Sequence, residues 1–163
     1  MPRALVLCFL LLLFAATSCE KDDVCPAGTQ GTPSLIIRLY DKDNPAVLKA
    51  PASSIDVFGL GREDLLISIN SDSTAIQLNP AENFTQLSFV RSETATSSII
   101  DTLQFNYRRQ DIYFNRACGY RAEFILDTNA LESLGVAPPF YAAYTVLIDT
   151  LKNENQAHLA LYH

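Results

Sequence analysis

Asp101-Thr102-Leu103-Gln104-Phe105-Asn106-Tyr107-Arg108 alternates strictly. Leu103, Phe105 and Tyr107 form an apolar face, and Thr102, Gln104, Asn106 and Arg108 a polar one. A period of two is the pattern of a strand that buries one side and wets the other. Downstream, Arg109-Gln110-Asp111 reads as a turn and Ile112–Asn115 as a returning strand. Tyr120, Ala122, Phe124 and Leu126 then supply a further inward face.

The same period extends outward. Leu35–Tyr40 reads as a strand with aliphatic residues on both faces, ended by the turn Asp41-Lys42-Asp43-Asn44-Pro45. Ile55–Phe58, Leu65–Ile69, Ala75–Leu78 and Gln86–Val90 are shorter strands punctuated by Gly59, Gly61, Asn70-Ser71-Asp72-Ser73 and Asn79-Pro80. Tyr144–Leu151 and His158–Tyr162 close the chain. Asp127 or Thr128 caps one expected short helix running to Leu134, stopped by Gly135 and by Pro138-Pro139. Short strands with turn residues roughly every 8–12 positions predict an all-β, antiparallel β-sandwich of Ig-like or Greek-key type; a barrel is the alternative.

The chain has 163 residues and a net charge of −6. That length holds one domain with a sizeable core. An acidic balance disfavours phosphate backbones, so no nucleic-acid partner is expected.

The first residues carry an address. Arg3 precedes the unbroken apolar run Ala4–Ala16, which is too short to span a bilayer comfortably and has the length of a signal-peptide core. The run ends in Ala16-Thr17-Ser18-Cys19, small residues before a cysteine, which resembles a bacterial lipobox, although Ala16 stands where a larger aliphatic is usual. Residues 1–18 are therefore expected to be a lipoprotein signal peptide. Residues 19–32 would form a lipidated tether and linker, and 33–163 the β-sandwich. Cys19 would carry the lipid. Two or three acyl chains, each buried methylene contributing roughly 0.8 kcal/mol, hold a protein stably on a membrane. Lys21-Asp22-Asp23 behind Cys19 resembles a surface-export signal of Bacteroidetes lipoproteins; a plain solvated tether is the alternative.

Of the four cysteines, Cys8 leaves with the signal and Cys19 is taken by lipid. Cys25 and Cys118 remain, and an exported protein meets oxidant, so a Cys25–Cys118 disulfide is expected; two free thiols are the alternative. Cys118 falls in phase with Tyr120 and Phe124, which predicts an inward side chain and a first strand lying close to this segment.

Leu35-Ile36-Ile37-Arg38-Leu39-Tyr40-Asp41, Ile76-Gln77-Leu78-Asn79-Pro80, Asp101–Tyr107 and Cys118-Gly119-Tyr120, in that order behind the lipobox, resemble an uncharacterised family of small Bacteroidetes envelope lipoproteins. The resemblance implies a β-sandwich lipoprotein of the cell envelope, with an outer-membrane β-barrel protein as a partner suggested by neighbouring genes. It brings no activity.

Chemistry-bearing constellations are sparse. His158 and His163 are the two histidines, and no Gly-x-Ser-x-Gly is present, so a Ser/His/Asp site is not expected. Two cysteines and two distant histidines lack zinc spacing, and Asp41–Asn44 lacks the glycine and distal acid of a calcium loop; no metal and no cofactor is expected. Glu123 beside Arg121 reads as a surface pair. Arg108, Arg109, Arg116 and Arg121 concentrate charge that suits an anionic sugar or lipid phosphate, or simply blunts exposed strands. Asp72-Ser73-Thr74, Asp101-Thr102-Leu103 and Asp149-Thr150-Leu151 resemble Bacteroidetes O-glycosylation acceptors, making Ser73, Thr102 and Thr150 candidate sites.

The expected function is thus a non-catalytic binding or structural module, anchored by lipid to the outer membrane and facing the surface or, alternatively, the periplasm. A small carboxylate-based hydrolase and a glycan-binding module are the competing readings.

Overall fold

A computed structural model describes residues 24–92, 97–135 and 138–163. The expected signal peptide over residues 1–18, Cys19 and Lys21-Asp22-Asp23 lie outside these residues. The described residues divide into two compact units, those within Gln30–Ile112 and Ala122–His163, and Tyr113–Arg121 with residues 24–29.

The larger unit is a sandwich of two sheets. Its strands are β1 (Leu35–Tyr40), β2 (Ile55–Gly59), β3 (Leu65–Ile69), β4 (Ser73–Ile76), β5 (Phe84–Ser92), β6 (Ser98–Asn115), β7 (Gly119–Ser133), β8 (Ala143–Val146), β9 (Thr150–Leu151) and β10 (Leu159–Tyr162). One sheet runs β4-β1-β10-β8 and the other β3-β2-β5-β6-β7-β9. The sheets are separate and not closed on each other, so the arrangement is a sandwich and not a barrel.

The alternating residues fill the space between the sheets. Leu35, Ile37 and Leu39 of β1 and Leu159 and Leu161 of β10 meet Val57, Phe89, Leu103, Phe105, Tyr107 and Phe124 in one buried cluster. The Tyr107 ring packs edge-on against Phe124, with centroids 5.0 Å apart. Its hydroxyl donates to the Asn79 carbonyl (2.8 Å) and shares a bond with Thr85 Oγ1 (2.6 Å), so the buried polar tip is satisfied. On the other face of β6, Gln86, Gln104 and Asn106 form a side-chain ladder, and Asn106 Nδ2 reaches the Asn129 carbonyl.

Four expectations change. First, β1 and β10 run parallel, with Ile37 opposite Leu159 and Leu39 opposite Leu161; every other strand pair of known register is antiparallel. Second, the expected helix from Asp127 or Thr128 to Leu134 is strand through Ser133. Two helical turns are barely stable alone, and pairing to β6 outcompetes them: Leu134 N–H donates to the Thr102 carbonyl at 2.8 Å. Third, Arg109-Gln110-Asp111 is not a turn. β6 continues to Asn115, and Arg109 and Asp111, two apart on one face, form an ion pair at 2.7 Å. Fourth, Tyr144–Leu151 is two strands in different sheets. The break falls where Leu147 and Ile148 N–H both turn to the His158 carbonyl.

The smaller unit holds the true β6–β7 turn, at Arg116–Cys118. Asn115 Oδ1 accepts from Cys118 N–H (2.7 Å), and Gly119 at φ 68° supplies the left-handed residue that returns the chain. Pro26–Thr29 is a second turn, with Gly28 at φ 86° in the position that demands positive φ.

Candidate functional site

The disulfide lies in the smaller unit. Cys25 and Cys118 are bonded, with Cα atoms 4.8 Å apart across a sequence separation of 93. Cys118 is half-buried and not fully inward, and Tyr120 is 70 % exposed. Tyr120 keeps the phase of Ala122 and Phe124, but burial on that face begins only at Ala122, nearer the middle of β7. Within the larger unit, Thr32 Oγ1 accepts from Ala122 N–H at 3.1 Å, tying the segment before β1 to β7.

Around the bridge the hairpin carries aromatic side chains on both faces. The Tyr113 and Tyr120 rings lie 5.0 Å apart, and the Arg121 guanidinium sits 5.1 Å above the Phe114 ring. The run of arginines divides. Arg108 pairs with Asp127 (3.7 Å) and Arg109 with Asp111, while Arg116 stands exposed in the turn. Glu123 is only 6 % exposed, so it is not half of a solvated surface pair: it falls among Ala122 and Phe124 where β7 is covered on both faces.

His158 is a structural residue. It is 2 % exposed. Its Nδ1 accepts from Ile36 N–H (3.0 Å), its own N–H donates to the Ile36 carbonyl (2.8 Å), and its ring is also bonded to the backbone of Asn153. Burial pushes its pKa below the usual value, against the opposing pull of Asn153 and Glu154. The Glu154 carboxylate accepts from Ser34 N–H (2.7 Å), and that bond lowers its pKa. These groups flank an open cleft of about 300 Å³ between residues 30–33 and 152–155.

This arrangement makes stability depend on pH. The unfolded imidazole takes a proton near pH 6.5, while the folded one resists it. The unfolded chain then binds more protons, so stability is full above that value and falls as pH drops toward the depressed folded pKa. Urea unfolding should lose free energy between about pH 7 and pH 5 in the wild type, and His158→Gln should flatten that slope. An unchanged slope in the variant would assign the effect elsewhere.

Asp101 is the residue that sequence reading passed over. It is 2 % exposed at the end of the core. Its Oδ2 accepts from Phe140 N–H (3.0 Å) and faces Arg91 Nε at 3.4 Å, while Oδ1 has no partner among the described residues. Phe140 in turn packs on Phe89. The sole signal was an acid in the apolar phase of the alternating stretch.

The acceptor candidates separate by exposure. Ser73 is exposed at the start of edge strand β4; Thr150 is half-buried, its hydroxyl bonded to Asp149; Thr102 is half-buried within β6, between β5 and β7, behind a buried Asp101. The Asp41 turn is closed by its own bonds to Asp43 N–H (2.8 Å) and Lys49 (3.1 Å). Among the described residues, no group of three or more His, Cys, Asp or Glu is placed to hold a metal ion.

Residues 54–163 match the model of a family of unknown function, DUF6452. No curated protein and no solved structure matches the chain significantly.

Proposed function

The chain belongs to the DUF6452 family, and from that premise we propose that it is a lipid-anchored module of the bacterial cell envelope, non-catalytic, that binds or supports another envelope component. The observation carrying this reading is the Cys25–Cys118 bridge. A structural disulfide suits an oxidising compartment. It also leaves Cys19, directly behind an apolar run and small residues, as the odd cysteine of the processed chain. The buried, hydrogen-bonded His158 supports a structural role over catalysis.

On this reading the lipoprotein is of Bacteroidetes type and sits in the outer membrane. Lys21-Asp22-Asp23 directs it to the surface, and an outer-membrane β-barrel protein is the partner. Ser73 is the acceptor best placed for O-glycosylation of the folded protein.

Metabolic labelling with a palmitate analogue should mark the wild type and not Cys19→Ala. Equal labelling of both would remove the anchor. Surface protease on intact cells should digest the wild type and spare a variant with Lys21, Asp22 and Asp23 replaced by alanine.

A further inference from the structure

We propose that the tip of the β6–β7 hairpin seats in the headgroup layer of the membrane that carries the Cys19 lipid; this rests on the anchor reading above. Chain length sets the geometry. Six residue steps separate Cys19 from Cys25, and an extended chain spans at most about 3.6 Å per residue. Cys25 is bonded to Cys118 in the turn itself. With 4.8 Å between the Cα atoms of the bridge, the hairpin tip is therefore leashed within roughly 26 Å of the acylated residue, whatever path those residues take. A leash that short holds the tip at high effective concentration beside the bilayer, so a weak contact suffices.

The tip has the side chains for that contact. Tyr113, Phe114 and Tyr120 are exposed, and Val24 beside Cys25 is 72 % exposed. Tyr113–Arg121 contains two arginines and no acid. Successive strand residues point to opposite faces, so Tyr113 with Tyr120 and Phe114 with Arg121 dress the hairpin on both sides. A protein partner would cover one face of such a hairpin. Apolar rings on both faces suit immersion of the tip. Tyrosine places its ring among lipid carbons and its hydroxyl at the headgroups, and arginine meets the phosphates. Glu20, Asp22 and Asp23 outweigh Lys21 in the tether, which offsets the two arginines. The contact is thus driven by the rings and does not need anionic lipid.

The test uses residues 19–163 with the Cys25–Cys118 bridge closed. The single remaining thiol, Cys19, is coupled to a maleimide phospholipid in phosphatidylcholine vesicles. Because the coupling is chemical, the outcome does not depend on whether cells lipidate Cys19, which the palmitate labelling decides. The chain has no tryptophan, so Tyr120→Trp, at a highly exposed position, is a sole emitter. Lipid brominated near the headgroup should quench it at least about two-fold and shift its emission to the blue. Leu66→Trp, exposed on the edge strand β3, reports chance collisions and should be quenched far less. Adding Tyr113→Ser and Phe114→Ser to Tyr120→Trp should relieve the quenching. Equal quenching of Tyr120→Trp and Leu66→Trp, or quenching untouched by the two serines, overturns the proposal.

Discussion

Replacing Cys25 and Cys118 together by alanine should lower the free energy of unfolding by up to about 4–5 kcal/mol. The magnitude follows from the separation of 93 residues that the bridge closes. Cross-linking positions so far apart removes more conformations from the unfolded chain than a short loop would. The folded unit loses little else, because Asn115 Oδ1 and Gly119 shape the turn without the sulfurs. Urea denaturation should show a lower midpoint and a steeper dependence on denaturant, since the unlinked chain exposes more surface. Reductant should move the wild type to the same curve. Coincident curves before and after reduction would mean that the bridge does not constrain the unfolded chain.

Phe124→Ala should cost about 3–5 kcal/mol, the usual range for emptying a buried aromatic site. Phe124 is fully buried, lies edge-on to Tyr107 and stands opposite Leu151. Three strands therefore lose contacts at once. The damage should concentrate at β9, which has only two residues and pairs through Phe124–Leu151 and Ile125–Thr150. Hydrogen exchange at β9 should accelerate before the rest of the six-stranded sheet, and Phe124→Leu should recover part of the loss. Uniform acceleration through both sheets would show that β9 is not separately held.

Where one face met the core, the sequence was legible. The alternation from Leu103 to Tyr107, and the burial of Leu35, Ile37 and Leu39, follow directly from period two. Misreadings arose where local chemistry competed with pairing partners far along the chain. Asp127–Leu134 carries adequate helical signals, but only the fold supplies the Thr102 carbonyl that holds Leu134. Arg109-Gln110-Asp111 is polar without a residue that bends the chain, whereas Asn115 and Gly119 carry that chemistry a few positions later. The switch between β8 and β9 depends on His158, which is nearby only after folding. At the candidate site, the cysteine pair followed from subtraction and compartment alone. The ring-bearing hairpin around it did not, because Tyr120 was read as core. Alternation names the face a side chain takes and not how far along the strand that face stays covered, and Tyr120 stands at the turn end of β7.

The parallel neighbours β1 and β10 bear on when this protein folds. β1 lies inside its sheet, between β4 and β10, and both backbone groups of Ile36 wait for His158. A ribosome releases residues 35–40 long before 158–162. Until then β1 has one of its two edges bare, and the four-stranded sheet cannot close. Contacts of such long range slow folding. For a chain bound for the cell envelope, as we propose this one is, late closure is an advantage: the polypeptide stays pliable while it crosses a membrane, and β10 completes the sandwich only afterwards.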